Sequence, residues 1–415
     1  MSILAKHAQG KGGPDTIFAY AGAAAKRAEE VGSENIVNAT IGAFLTPEGH
    51  LATMKTVEAA MEAVPFEVAA NYAPINGLPA FIEAMADSVF RDYRPNCYID
   101  GVATPGGTGA VHNATFNYLN EGDTCLTTDY FWGNYTSLLS EFGRKLDTFN
   151  TFTPEGGFDV QACLTACKDL IGKQDNLVLL LNTPAHNPTG FTVTNDEWRQ
   201  LLDGLTDLAK AHPDQGVIVI IDVAYIDYAP QDARSIFKLF ENLPENLLGI
   251  VCASLSKGYT LYGYRLGVEL CMAQTEAVKD EFMLAAGASC RATWSNCSRV
   301  GMEMVAQLAA DPEKLKAFRA EQDDFAAQLA ERAALFTSEA EEVGLTICPY
   351  HSGFFIYVPT KTHEDAEALT QKVAEKDIFV VPLGDGVRIA ICAISTPQIK
   401  GMAKIFKDAQ QALNI

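Results

Sequence analysis

Long apolar runs are missing from this 415-residue chain. The longest, such as Leu177-Val178-Leu179-Leu180-Leu181, fall far short of the roughly 20 apolar residues that a membrane-spanning helix needs. Basic residues are scarce as well: 31 Lys and Arg stand against 52 Asp and Glu, a formal net charge of −21. Such a surface repels phosphate backbones and anionic membranes, which argues against nucleic-acid or lipid partners. The 10 cysteines lack metal-ligand spacing. Cys163 and Cys167 stand four apart on a predicted helix with no paired Cys or His motif nearby. They read as buried small apolar residues or idle thiols, and no metal site is expected. The N-terminal Met1-Ser2-Ile3-Leu4-Ala5-Lys6-His7 has no apolar signal core, so a reduced, cytoplasmic setting is the expected compartment. No repeat or low-complexity tract is evident.

The length suffices for two or more sizeable cores. In the middle of the chain, short apolar runs alternate with amphipathic stretches. Leu177 to Leu181 and Val217-Ile218-Val219-Ile220-Ile221 are continuous apolar strands, the pattern of a parallel sheet covered on both faces. Residues 195–212 separate them, with Trp198, Leu201, Leu202, Leu205 and Leu208 at helical spacing. This is α/β organisation. From Pro312 the character changes. Residues 314–343 predict one long helix. Leu345-Thr346-Ile347-Cys348 and Gly353-Phe354-Phe355-Ile356-Tyr357-Val358 then predict strand, turn and strand. A last helix is predicted from Thr396, with Pro397 in its first turn. The expected architecture is a large α/β domain over residues 46–312 with a mostly parallel sheet. A smaller α+β domain, formed by residues 1–45 and 313–415, carries an N-terminal arm.

Lys257 lies in Ser254-Leu255-Ser256-Lys257-Gly258-Tyr259, just after the apolar run Leu248-Gly249-Ile250-Val251-Cys252-Ala253. A lysine at the end of a buried strand is desolvated, which lowers its pKa and exposes a nucleophilic amine. Two serines and Arg265, eight residues on, are good ligands for a phosphate. Together they suggest covalent attachment of pyridoxal phosphate (PLP). Taken alone, Ser-x-Ser-Lys also fits a solvated loop.

Ligands of open α/β sheets bind beyond the carboxyl ends of the strands. After Val217 to Ile221 come Asp222 and Tyr225. A carboxylate on a buried strand end needs a cation or donors, and a pyridinium nitrogen would serve. An ordinary helix N-cap is the alternative. After Leu177 to Leu181 comes Asn182-Thr183-Pro184-Ala185-His186-Asn187-Pro188-Thr189-Gly190, where Asn187 could donate to a phenolate oxygen or merely shape a turn. A predicted strand at residues 100–104 leads into Pro105-Gly106-Gly107-Thr108-Gly109-Ala110. That Gly-rich helix start is an anion site by its free N–H groups and dipole, or simple loop closure.

These strings, taken with Asn71-Tyr72-Ala73-Pro74-Ile75-Asn76-Gly77, Phe131-Trp132-Gly133-Asn134, Arg291 through Ser295-Asn296, and Val387-Arg388-Ile389, run in one order along the chain. The set resembles the fold-type I PLP enzymes, most closely class I aspartate and aromatic amino acid aminotransferases. The resemblance implies the PLP-dependent transferase fold and transfer of an amino group between an amino acid and a 2-oxo acid such as 2-oxoglutarate. It implies that Lys257 bonds the cofactor and moves the proton, with Asp222 on the pyridine nitrogen. It implies Asn187 and Tyr225 on the phenolate oxygen and Trp132 stacked on the ring. Gly107, Thr108, Ser254 and Arg265 would hold the phosphate, and Tyr72 would reach the phosphate of the other subunit in a homodimer with shared sites. Arg388 would clamp the substrate α-carboxylate, Gly42 would line the substrate pocket, and Arg291 would bind a distal carboxylate across the interface. Aromatic-preferring relatives keep that arginine and swing it aside.

The chain departs from the family pattern at three places. Cys297-Ser298 replaces a Pro-Pro pair after Ser295-Asn296, Tyr135 replaces a histidine, and Thr40 replaces a glycine. His186 matches a residue one layer behind the site, whereas His112 and His351 carry no assigned role. Two other classes remain open: a PLP-dependent C–S lyase on the same fold, and a non-catalytic PLP-binding regulator. The second needs an appended DNA-binding domain, for which there is no room before the first motif.

Overall fold

The computed structural model describes residues 2–12 and 16–415. Seven strands form its main sheet: β1 (Tyr98–Thr104), β2 (Thr124–Thr128), β3 (Lys145–Phe149), β4 (Asn176–Asn182), β5 (Gly216–Asp222), β6 (Leu247–Ser254) and β7 (Gly267–Ala273). Their spatial order is β1-β7-β6-β5-β4-β2-β3. β7 runs antiparallel to both neighbours, and the remaining pairings are parallel. β4, β5 and β6 are buried at nearly every position because helices cover both faces. One of these helices, Asn195–Ala211, buries Trp198, Leu201, Leu202, Leu205 and Leu208. Its start is fixed by a reciprocal cap between Thr194 and Glu197.

A second, three-stranded antiparallel sheet holds β8 (Phe355–Pro359), β9 (Val381–Pro382) and β10 (Gly386–Ala390), in the order β9-β10-β8. The helix Pro312–Val343 leads to it. Asp311 caps that helix by accepting from the backbone N–H groups of Glu313 and Lys314, and Gly344 ends it at φ +66°. A short parallel pairing of Val37–Asn38 with Ile378–Phe379 ties the N-terminal segment to this region. Mostly parallel main sheet plus a smaller α+β unit is the fold expected from the sequence.

Two local expectations fail. Residues 345–348 are not a strand. Cys348 gives one backbone N–H to the Tyr357 carbonyl at 2.9 Å, and Pro349 then lacks the N–H needed to extend a ladder. The last helix is also broken: one turn, Thr396–Ile399, is followed by Gly401 at φ +79° and a separate helix, Met402–Leu413.

For function, the carboxyl edge of the main sheet matters most. Register places Asn182 beside Asp222, and Asp222 beside Cys252. Ser254 ends β6, and Lys257 follows within the single turn Leu255–Gly258. The helix Gly106–Tyr118 starts just past the end of β1. Four chain segments therefore deliver polar groups to one edge.

Candidate active site

A cavity of about 150 Å³ opens at that edge. Gly107, Thr108, Trp132, Asn187, Asp222, Tyr225, Ser254, Lys257 and Arg265 line it, together with Asn182, Ala224 and Ser256. Nine of the residues singled out in the sequence thus meet in one place.

Lys257 is half-buried, with Nζ 5.0 Å from the centre of the Tyr262 ring and 5.8 Å from that of Tyr225. Burial pushes its pKa from an ordinary 10.5 down to about 8, and the charges of Arg265 and Arg388 push the same way. The amine is therefore partly neutral near physiological pH. Behind it, the Lys257 carbonyl accepts from Tyr228 OH at 3.2 Å and the Gly258 carbonyl from Gln322 Nε2 at 2.8 Å.

Asp222 is buried at the end of β5. Its Oδ2 accepts from Tyr135 OH at 2.6 Å and its Oδ1 from the Ala224 N–H at 3.1 Å. Burial pushes its pKa up, while these two donors and Lys257 pull it down. Asn182 supports the neighbourhood: its Nδ2 donates to the Asp222 carbonyl at 2.8 Å, and its Oδ1 accepts from the Asn187 N–H at 2.7 Å. Asn187 Nδ2 reaches Tyr225 OH at 3.5 Å, and Asn187 Oδ1 is buried with no hydrogen-bond partner among the described residues. Burial raises the Tyr225 pKa, and Arg388 opposes that rise.

The opposite end of the cavity is an anion cradle. Gly106 sits at φ +73°, a backbone conformation that favours glycine, and a Cβ there would stand 2.8 Å from Arg265 Nη2. A Cβ on Gly107 would lie 3.6 Å from Ser254 Cβ. Arg265 is exposed, with its Nη1 on the Tyr262 carbonyl at 2.9 Å and Ser256 Oγ at 3.4 Å. The free N–H groups of the 13-residue helix Gly106–Tyr118 open on this end.

Arg388 lies on β10, buried, with Nη2 donating to the Thr40 carbonyl at 2.9 Å. It influences both Lys257 and Tyr225 electrostatically, so it stands beside the cavity. Thr40 is buried, and its hydroxyl donates to Asn38 Oδ1 at 2.6 Å. Gly42 approaches the same corner through Phe355. Two residues lie outside the cavity of their own chain. Tyr72 is 83% exposed, and Arg291 is exposed at the end of the helix Glu276–Thr293, its Nη1 on Ser295 Oγ at 2.6 Å.

His186 is buried with Nδ1 2.8 Å from Thr189 Oγ1, and burial lowers its pKa to about 4. His112 packs among Phe116, Phe142 and Trp294, and His351 packs on Phe191. Sequence reasoning missed Asn182 and Tyr262. Asn182 had a signal, as the first polar residue after an apolar strand. Tyr262 had none: its OH accepts from the distant Phe44 N–H at 2.9 Å. Among the described residues no cluster of three or more His, Cys, Asp or Glu could hold a metal ion, and no helix is long and apolar enough to cross a membrane.

The cavity fits PLP: a part-neutral amine, a buried carboxylate for a ring nitrogen, two side chains for a ring oxygen, and a glycine-defined anion cradle. Comparison with known proteins agrees. The cytoplasmic aspartate aminotransferase of Schizosaccharomyces pombe is 28% identical over 292 residues, covering 67% of this chain and 68% of that protein. The crystal structure of an aminotransferase from Anaerococcus prevotii superposes with a TM-score of 0.94 at 32% identity, covering 98% of each chain. An aromatic-amino-acid aminotransferase from Burkholderia pseudomallei, covalently bound to pyridoxal phosphate, has the same fold. Its TM-score is 0.79 at 19% identity, over 98% of this chain and all of that one. The sequence pattern of aminotransferase class I and II matches residues 34–406, a span that holds both sheets and every cavity residue, and the chain belongs to that family.

Proposed function

We propose that this chain moves an amino group between an amino acid, aspartate or aromatic, and a 2-oxo acid such as 2-oxoglutarate, with PLP bound at Lys257. One observation carries the reading: the Lys257 amine, Asp222 and the group Gly107, Thr108, Ser254 and Arg265 line a single cavity. When bound, PLP supplies an aldehyde that condenses with amines and a ring that draws electrons from the substrate Cα. The chain's own residues do the rest. Lys257 Nζ would hold the cofactor covalently and, once the substrate amine displaces it, would be the neutral amine that takes the proton from the substrate Cα. Asp222 holds the charge of the ring nitrogen, and Asn187 and Tyr225 bond the ring oxygen. Trp132 stacks on the ring. Gly107, Thr108, Ser254 and Arg265 hold the phosphate. Arg388 clamps the α-carboxylate in a two-point fork, and Gly42 shapes that corner.

The exposure of Tyr72 and Arg291 supports a homodimer in which each subunit lends these two residues to the other's site. The acidic surface and ten unpaired cysteines support a cytoplasmic enzyme of small molecules, without nucleic-acid or membrane partners. The proposed domains remain residues 46–312 and residues 1–45 with 313–415.

The test is a panel of ¹⁵N-labelled amino acids incubated with 2-oxoglutarate and enzyme. Label in glutamate supports the reading. Ammonia and a 2-oxo acid without glutamate would instead assign a lyase.

A further inference from the structure

We infer that a second cavity, between the helices Pro79–Phe90, Arg299–Ala310 and Pro312–Val343, binds a small monocarboxylate with an apolar body. The cavity measures about 330 Å³ and shares no lining residue with the catalytic one. Arg91 lines it, with its side chain 9% exposed. Its Nη2 donates to Gln322 Oε1 at a long 3.3 Å. Its ion-pair partner, Asp227 Oδ1, stands 3.7 Å away and already accepts from Arg234 Nη2 at 2.7 Å. Arg91 Nε is buried with no hydrogen-bond partner, and no hydrogen bond among the described residues uses Nη1. A guanidinium with most of its donors unspent in the interior is costly, and the cavity is where an acceptor enters.

The local charge points the same way. Arg319 also lines the cavity, half-buried and without an ion pair among the described residues. Burial lowers the Arg234 pKa to about 10, and the charges of Arg91 and Arg319 push it down further against the pull of Asp227. Around Asp227, positive charge is therefore in excess. The other walls set the ligand class. Val305, Leu308, Leu315 and Phe318 form an apolar face. Asp87, Asp92 and Asp323 lie on the exposed side of the cavity. They repel a phosphate or a dicarboxylate, whose extra negative charge would stand beside them, and accept a neutral or ammonium-bearing body. A carboxylate on Arg91, with an apolar chain against Leu308 and Phe318, satisfies both walls. Gln322, 3% exposed, also donates Nε2 to the Gly258 carbonyl at 2.8 Å. The ligand would thus stand one side chain behind the turn that carries Lys257.

An amino acid and its 2-oxo acid share this chemistry, and the binding does not depend on the reaction proposed above. The test is equilibrium dialysis of PLP-loaded protein, reduced with borohydride to stop turnover, against labelled leucine and, separately, its labelled 2-oxo acid. Either probe at this site supports the assignment, and the ratio of their affinities says which one the exposed carboxylates select. One site per chain should keep its affinity within about twofold in Arg388→Ala, because that residue serves the other cavity. The same site should weaken roughly thirtyfold or more in Arg91→Met, which removes the charge partner of the carboxylate. If Arg91→Met does not fold, Ala309→Phe fills the cavity with the arginine intact and should weaken the site as much. Hydrogen exchange should slow on binding in peptides covering residues 84–92 and 305–323. Binding that is lost in Arg388→Ala and kept in Arg91→Met puts the ligand in the catalytic cavity and overturns the inference. So does the absence of binding by both probes at millimolar concentration, or inorganic phosphate that binds as tightly as leucine.

Discussion

The guanidinium carbon of Arg388 lies 4.4 Å from the centre of the Phe355 ring, and a Cβ on Gly42 would stand 2.7 Å from Cζ of that ring. Glycine, ring and guanidinium form one stack, so Phe355 fixes where Arg388 points. Its position is a consequence of register, because Arg388 pairs with Tyr357, two residues along β8 from Phe355. Gly42→Ala must displace the ring, and overpacking of this kind costs about 1–3 kcal/mol. We predict a rise in KM of roughly tenfold for every amino acid, with PLP still bound. Steady-state kinetics and cofactor absorbance check this. An unchanged KM would mean that the ring does not govern the arginine.

Arg388 itself should be irreplaceable by another cation. Lysine keeps the charge but loses the planar fork and the ring stacking. Arg388→Lys and Arg388→Ala should both lower kcat/KM for all donors, alanine more. Losing one partner of a buried charge pair costs on the order of 2–5 kcal/mol, which is roughly thirtyfold to several thousandfold. Full activity in Arg388→Lys would refute a two-point clamp.

Lys257 makes a prediction about stability. Its pKa falls from 10.5 unfolded to about 8 folded, so between those values the unfolded chain holds the extra proton. Unfolding free energy then rises with pH across that window, and below about pH 8 the full cost of a buried charged amine is present. Each unit of depression is worth about 1.36 kcal/mol before screening by solvent. Cofactor-free Lys257→Met should therefore melt a few degrees above cofactor-free wild type at about pH 7. The gap should close toward about pH 10. Calorimetry across that range decides it, and a gap that widens with pH has the wrong sign.

Arg291 should act only across subunits. Arg291→Ala is predicted to damage aspartate and 2-oxoglutarate use roughly thirtyfold or more and to spare phenylalanine. Mixing inactive Lys257→Ala chains with Arg291→Ala chains should restore one intact site per heterodimer. No recovery with a dicarboxylate, despite proven subunit exchange, would place Arg291 elsewhere. Ser295, which holds Nη1 at φ +68° in the loop where Cys297-Ser298 stands, would then be the reason.

The apolar strands β4, β5 and β6 were legible because each is a continuous buried run, and their ends gave Asn187, Asp222 and Lys257 directly. β2, β3 and β7 were not. β2 carries three threonines, β3 alternates Lys145, Leu146 and Asp147 along the sheet edge, and β7 holds Glu269 in its middle. Glu269 is fully buried, with Oε2 accepting from Asn113 Nδ2 at 2.7 Å, and burial raises its pKa to about 8. A carboxyl that folding keeps largely neutral looks like a surface charge in a sequence. Tyr262 and Phe355 escaped notice for another reason. Their roles come from contacts with Phe44 and Arg388, which no spacing along the chain encodes.

The central claim is that Lys257 bears the cofactor. Protein loaded with PLP is reduced with borohydride, digested and mapped by mass spectrometry. The account predicts one pyridoxyl group per chain, on Lys257, and none in Lys257→Ala. A pyridoxyl group on any other lysine, with Lys257 unmodified, would contradict it.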